Sequence, residues 1–483
     1  MTARPTQSGK GSAVSPARRE AFAILLALAH GKAHSPGSAH SGEAHSDDLL
    51  RSPRVSALSA QDRHLCTALV LGVLRWQIYL DRRIRPLLAK PNARLEDEVS
   101  IALRLGAFQL WFLDRIPAHA AIGESVALAK NAGHRFASGM VNAVLRKAAA
   151  LGREESLDAR EALPSWLVER WTALYGEEAT RKICGQAQTA PETTLRLSAE
   201  TMEASLAAEG VACAPGMLLK AARRVIAGDV TATEAFRSGR ARIQEEGSQL
   251  IAELSASGGF SPQRILDCCA APGGKTLVLS EINPQASVTA CELSQRRFAA
   301  LRTRINAIAA TGVAVGMQNA PSSRIDLMLG DITLLAFEDH YDFVLADVPC
   351  SGTGTLGRNP EIRHRLTLED LARHHQRQCA ILRAALNAAK PGGRVVYSTC
   401  SLEPEENEAV ITELLSQTPG WRPIPLKQII ASLCEKERIT AEGLALLQQC
   451  VRDDGSLLLL PGSLGSEHAN DGFFMAMLER ASA

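Results

Sequence analysis

Asp267-Cys268-Cys269-Ala270-Ala271-Pro272-Gly273-Gly274-Lys275-Thr276 is the stretch whose reading decides the fold. The run before it, Arg264–Cys268, reads as a strand, and the residues after it read as a helix. A glycine-rich turn between the two lets a ligand approach the backbone, and a helix N-terminus favours negative charge. Two phosphate-binding turns do not fit. A Walker loop needs glycine five residues before Gly274-Lys275-Thr276, where this chain has Cys269. The dinucleotide fingerprint G-x-G-x-x-G is absent as well. A nucleoside cofactor at the carboxyl ends of parallel strands remains.

Outward from this turn, strand and helix alternate. Ser287–Cys291, Ile325–Leu329, Asp342–Ala346 and Gly393–Thr399 are further predicted strands, separated by helical stretches. That alternation predicts a doubly wound, Rossmann-like α/β domain over residues 246–483. Two late strands, Ser456–Leu460 and Phe473–Leu478, are spaced to pair as an antiparallel edge. Acidic residues close successive strands. Glu292 stands 25 residues after Asp267, where a carboxylate can accept both ribose hydroxyls. Asp331 follows the third strand and is placed to accept from an adenine amino group. With no pyrophosphate cradle, S-adenosylmethionine fits better than a nicotinamide dinucleotide.

Two more strands run into cysteines: Asp347-Val-Pro-Cys350-Ser-Gly-Thr-Gly and Tyr397-Ser-Thr-Cys400-Ser. A lone cysteine is usually a small buried hydrophobe. Here Cys350 follows proline in a glycine-rich loop and Cys400 closes a strand, and adjacent strands would bring both to one cleft. A thiol beside a methyl donor suits methylation of an unactivated ring carbon. Carbon 5 of cytosine becomes nucleophilic once a thiolate has added at carbon 6, which splits one hard step into two. Asp347 is placed to stabilise that adduct.

Composition bounds the rest. The 483 residues carry 53 Lys+Arg against 52 Asp+Glu, a net charge of +1. Residues 1–150 hold 20 basic and 11 acidic side chains, net +9, while 151–240 sum to −2 and 241–483 to −6. Such polarity points to nucleic acid or another anionic partner. The length allows two to four domains, at about 100–200 residues each. No apolar run approaches the ~20 residues of a spanning helix. Eleven cysteines, with no C-x-x-C pair, argue for reduced thiols in a cytoplasmic enzyme, without a zinc site or disulfide framework. No metal is expected. The His-rich stretch 30–48 (His30, His34, His40, His45) reads as a solvated loop rather than a metal tract.

Residues 1–14 read as a disordered tail. Ser15-Pro16 reads as a helix N-cap, and Ser59 with Asp62 as a capping box. The helices that follow make residues 15–150 an all-α domain, with Arg75, Arg82, Arg83, Arg85 and Lys90 crowding one helix end. Residues 151–245 are mixed: helices near Ser165–Leu174 and Met202–Ala208, strands near Thr194–Leu197 and Arg224–Ile226. They predict a small α+β module.

The catalytic stretches resemble the motifs of the RsmB/Nop2/Sun family of RNA 5-methylcytosine methyltransferases. They are Cys269–Thr276, Asp347-x-Pro-Cys350-Ser-Gly-Thr-Gly and Ser398-Thr-Cys400-Ser-x-x-Pro-Glu-Glu-Asn407. Asp471-Gly-Phe-Phe474 resembles the family's last strand. Leu74-Arg-Trp76, Leu105–Leu110, Leu113-Asp-Arg-Ile-Pro117 and Val141–Arg146 are similar to the NusB-like RNA-binding domain fused to the bacterial (Fmu/Sun) type, which acts on 16S ribosomal RNA. The resemblance implies that Cys400 is the nucleophile and that Cys350 assists product release. It implies that Cys269, Ala270, Ala271, Pro272, Gly273, Gly274, Lys275, Glu292, Arg297, Asp331 and Asp347 line the cofactor and cytosine site. It also implies an RNA substrate, no membrane, and a monomer. Glu292 stands where the family commonly has Asp, and Val348 where it has Ala. A tRNA substrate, methylation of an exocyclic amine, and a non-catalytic RNA-binding or transcription factor are the alternatives. The intact Asp347, Cys350 and Cys400 weigh against the last two.

Overall fold

A computed structural model describes residues 14–31, 45–257, 259–310, 324–465 and 468–482. The tail 1–13 and His34 and His40 of the His-rich loop lie outside the described residues. Contacts divide the chain into two units, residues 1–188 with Leu356–Arg365, and residues 189–355 with 366–483.

The first unit is helical: α1 (Pro16–His30), α2 (Ser46–Leu50), α3 (Pro53–Ser56), α4 (Ala60–Ile84), α5 (Asp97–Phe112), α6 (Ala118–Asn131), α7 (Ser138–Leu151) and α8 (Ser165–Gln188). Apolar side chains at helical spacing, such as Leu69 and Val73 on α4 and Val141 and Leu145 on α7, close one core. The Ser59 side chain accepts from the Asp62 amide, as its capping pattern predicted. Ser15 takes the N-cap position of α1 with Pro16 opening the helix, as the sequence predicts, but its side chain makes no capping hydrogen bond. Its amide and Oγ both donate to Glu124, at 2.8 and 2.6 Å, because Arg18 draws that carboxylate to the helix start. Within this unit, Leu356–Arg365 is an inserted strap. Arg363, buried, donates to the carbonyls of Arg75, Ala162, Ala187 and Leu356 at 2.8–3.3 Å. Burial pushes its guanidinium down to about 9.

The second unit holds two sheets. The smaller contains β1 (Thr194–Leu197), β2 (Ala212–Pro215), β3 (Ala222–Ala227) and β4 (Ala241–Ile243) in the order β2-β3-β1-β4, with Met202–Ala208 as its helix. The larger contains β5 (Arg264–Asp267), β6 (Ser287–Glu292), β7 (Ile325–Leu329), β8 (Tyr341–Asp347), β9 (Ala389–Thr399), β10 (Trp421–Ile424), β11 (Leu457–Leu459) and β12 (Phe473–Arg480). Its order is β10-β12-β9-β8-β5-β6-β7, with β11 on β12. Strands β5 to β9 pair in parallel and read as apolar runs, because helices cover both faces. The two late strands do pair, but β12 also lies antiparallel between β9 and β10, so it is interior. Strand β10 was not anticipated. Its Pro423 lowers strand propensity and is accommodated at the sheet edge.

Among the described residues, no helix is long and apolar enough to cross a membrane.

Candidate active site

The sheet order reverses at β5, whose neighbours are β6 on one side and β8 on the other. Ligands of open α/β sheets bind at such a reversal, outside the carboxyl ends of the strands. The glycine-rich turn leaves β5 there and the Pro-Cys loop leaves β8 there. The turn is shaped by its own amides. Ala270 donates to the Cys291 carbonyl at 2.9 Å and Gly273 to that of Ala270 at 2.7 Å. Gly273 has φ 97°, and a Cβ there would meet Leu301 at 2.8 Å.

Four carboxylates line this edge, one from each strand end. Asp267 is buried and accepts from Thr276 Oγ1 at 2.7 Å. Burial raises it to about 7, with Asp347 adding to the effect and the Thr276 hydrogen bond opposing it. Glu292, also buried, accepts from the Ala271 amide at 3.3 Å and the Ser294 amide at 2.8 Å, one on each oxygen. Asp331 accepts from the Thr333 amide and hydroxyl at 3.0 and 2.7 Å. Asp347 accepts from Ser398 Oγ at 2.7 Å and pairs with Lys275 Nζ at 2.8 Å. Burial opposes the charge on Lys275, but the Asp347 carboxylate outweighs it and raises the ammonium's pKa. Arg297 braces the cradle from outside. It donates to the Ala271 carbonyl at 2.7 Å and lies 3.8 Å from Glu292. An adenosine carrying a positive sulfonium fits this crevice, because acids at the strand ends accept from its hydroxyls and amine and suit its charge.

Cys350 and Cys400 meet with 3.2 Å between the sulfurs. The hydrogen bond to Cys400, together with burial, pushes the Cys350 thiol well up. What holds them was not legible in the sequence. The buried Glu406 carboxylate accepts from the Ser351 amide at 2.8 Å, from both the Ser351 and Ser401 hydroxyls, and from Gln378 Nε2 at 3.0 Å. Gln378 also donates to the Pro349 carbonyl at 3.0 Å. Thus the residue after each cysteine is tied to one carboxylate. Asn407 donates to the Ser401 carbonyl at 3.0 Å, and the Gly354 amide donates to the Cys400 carbonyl at 2.9 Å. A Cβ at Gly354 would lie 2.8 Å from that carbonyl oxygen, so the loops meet backbone to backbone. Glu406 and Asn407 belong to a stretch the sequence singled out, without a role; Gln378 carried no signal, being one polar residue on a long helix.

One cluster lies apart. His375 Nε2 contacts Glu413 at 2.9 Å and its Nδ1 the Glu405 carbonyl at 2.7 Å, with Cys379 at 3.6 Å. Of the five basic residues at the far end of α4, Arg75 is buried against the Gly357 carbonyl and Arg83 stacks on Trp111 with 4.6 Å to the ring centroid, so these two serve the fold, while Arg82 pairs with Glu161 at the surface.

This sheet, crevice and acid set define a Rossmann-like methyltransferase domain that uses S-adenosylmethionine. Comparison with known proteins gives the particular kind. The family model for 16S rRNA methyltransferase RsmB/F matches residues 260–479, the NusB family model 15–150, and the RsmF/B-like ferredoxin-like domain 163–225. A probable ribosomal RNA small subunit methyltransferase B of Bacillus subtilis (strain 168) is 33% identical over 459 residues, covering 91% of this chain and 95% of the relative. Its counterpart in Synechocystis sp. is 32% identical over 450 residues, with 88% and 92% covered. The crystal structure of PH0851 shares the fold, with TM-score 0.72 and 21% identity over 98% of this chain and 100% of that one. So does NSun6 from Pyrococcus horikoshii with SFG, with TM-score 0.51 and 17% identity over 68% and 100%. The chain belongs to the RsmB/F family of 16S rRNA methyltransferases.

Proposed function

We propose that this protein methylates carbon 5 of a cytosine in 16S ribosomal RNA through a covalent adduct on Cys400. The observation that carries the reading is the pair of thiols 3.2 Å apart beside Asp347 and Lys275. S-adenosylmethionine supplies the electrophilic methyl group. Glu292 and Asp331 would accept from its ribose and adenine, and the Cys269–Lys275 turn would give it backbone to lie against. The Cys400 sulfur adds to carbon 6, and the ring's electrons move to carbon 5, which takes the methyl group. Lys275, within electrostatic reach of Cys400, is a cation that favours an attacking thiolate. Asp347 stabilises the adduct at the base's N3 and amino group. Cys350 then serves in removing the carbon 5 proton, directly or through a base, and the Cys400–carbon 6 bond breaks as the double bond re-forms. The target base must leave its stack to reach both groups, so an unpaired or flipped cytosine is the substrate. The ribosomal substrate rests on the family's description and on the relatives' names.

Two variants with substrate RNA test this. Cys400→Ala is expected to abolish turnover and form no protein–RNA adduct. Cys350→Ala is expected to accumulate a stalled adduct that survives denaturing electrophoresis. The reverse pattern would exchange the two roles. Bisulfite mapping of ribosomal RNA from cells lacking the protein is expected to show one cytosine without its methyl group. Loss of methylation in tRNA instead would move the substrate.

A further inference from the structure

Phe136 is 105% exposed, the only aromatic among the exposed large apolar side chains of the described residues. Aromatics are 4% of this chain, and the first unit packs five of its others, Trp76, Tyr79, Phe108, Trp111 and Phe112, against one another. A Phe ring left wholly in water contributes nothing to folding.

The backbone that carries it is held in place. The turn that carries it is closed by the His134 amide on the Ala129 carbonyl at 3.0 Å, the Ala137 amide on the His134 carbonyl at 3.1 Å, and Ser138 Oγ on the Arg135 carbonyl at 2.7 Å. His134 is pinned by Glu98 at 3.3 Å. Such a turn presents the ring on a backbone that needs little ordering at binding. The helices on either side of it in sequence carry exposed cations. The outward stripe of α7 is Gly139, Ala143 and Arg146, while Val141, Val144 and Leu145 face the core. Lys130, Arg135 and Arg146 are exposed, and no carboxylate pairs with them among the described residues.

We propose that Phe136 is a stacking platform for an unpaired base of the RNA substrate, with Lys130, Arg135 and Arg146 on the adjoining phosphates. An exposed aromatic on a closed turn, in a segment that also carries exposed cations, suits a single strand, whose bases offer ring faces and whose phosphates offer charge. A duplex buries those faces. The inference rests on the RNA reading above, and the test separates the two.

Full-length protein is titrated with an end-labelled, mixed-sequence single-stranded RNA and with the same RNA as a duplex. Phe136→Ala is expected to weaken single-strand binding roughly 5- to 100-fold, with a much smaller effect on the duplex. Phe136→Leu is expected to lose as much, because it keeps apolar area without a ring face. Phe136→Trp is expected to retain binding and to lose fluorescence when RNA is added. The melting temperature of all three is expected to match the parent's, since the ring buries nothing. If the parent binds the single strand and Phe136→Ala binds equally, the platform is wrong and the RNA reading stands. If Phe136→Leu binds like the parent, the contact is merely apolar and the stacking proposal falls. If the parent binds no RNA, both readings fall.

Discussion

Cys350 and Cys400 are alike as residue types, and their surroundings separate them. The hydrogen bond to Cys400 and burial push the Cys350 thiol well up, which suits the proton-handling role proposed for it beside Cys400. Asp267 shows the same principle at a carboxyl. Burial raises it from an ordinary 3.8 to about 7. Between those values the folded protein holds a proton that the unfolded chain has lost. The stability linked to that proton is therefore complete below pH 4 and is lost as pH rises to 7. Asp267→Asn keeps the acceptor for Thr276 and removes the titration. Measured by denaturant unfolding, the variant is expected to gain on the parent by a few kcal/mol between pH 5 and pH 8. A constant difference across that range would contradict the shift.

At the scale of elements, the 3-10 turn Pro404–Glu406 staples two loops that leave neighbouring strands. Parallel strands β8 and β9 already set Asp347 opposite Ser398. The staple then brings the cysteine that follows each into contact. Glu406→Ala removes the acceptor of the Ser351 amide and of Gln378. It is expected to cost roughly 1–3 kcal/mol for each buried donor left unpaired. Its larger effect is on chemistry, since a misplacement of about 1 Å costs on the order of 100-fold in rate. Single-turnover methyl transfer should fall by about that factor while S-adenosylmethionine affinity, measured by calorimetry, stays near the parent's. Loss of cofactor affinity in step with rate would assign Glu406 to general folding instead.

At the scale of the molecule, the first unit is made from two separate stretches. The strap Leu356–Arg365 begins just after the Cys350 loop, yet its Arg363 satisfies carbonyls at Arg75, Ala162 and Ala187. Glu361 accepts from the Ser46 amide at 3.1 Å and its hydroxyl at 2.8 Å. A fragment ending at Gln188 lacks this strap. It is expected to melt well below the corresponding transition of the full chain, and adding residues 356–365 as a peptide should recover part of the loss. Equal melting temperatures would show that the strap is a passenger. Charge also belongs to this scale: +9 in the first 150 residues is invisible in a total of +1.

Local pattern was enough for the alternating strands and helices, the glycine-rich turn, the acids at strand ends and the two cysteines, because each depends on neighbours within a few residues. Ser59 capped as its spacing predicted; Ser15 took its predicted N-cap position, but its hydroxyl turned to Glu124, over a hundred residues away. Strand β12 looked like an edge hairpin partner until the fold placed it between β9 and β10. Arg83 is one of several basic residues at a helix end by sequence, and only the fold lays it on Trp111. The exposure of Phe136, the grip of Glu406 on both cysteine loops and the reach of Arg363 into the first unit have no local signature. Each is set by groups distant in sequence, and only tertiary structure decides which donors meet which acceptors and which rings stay in water.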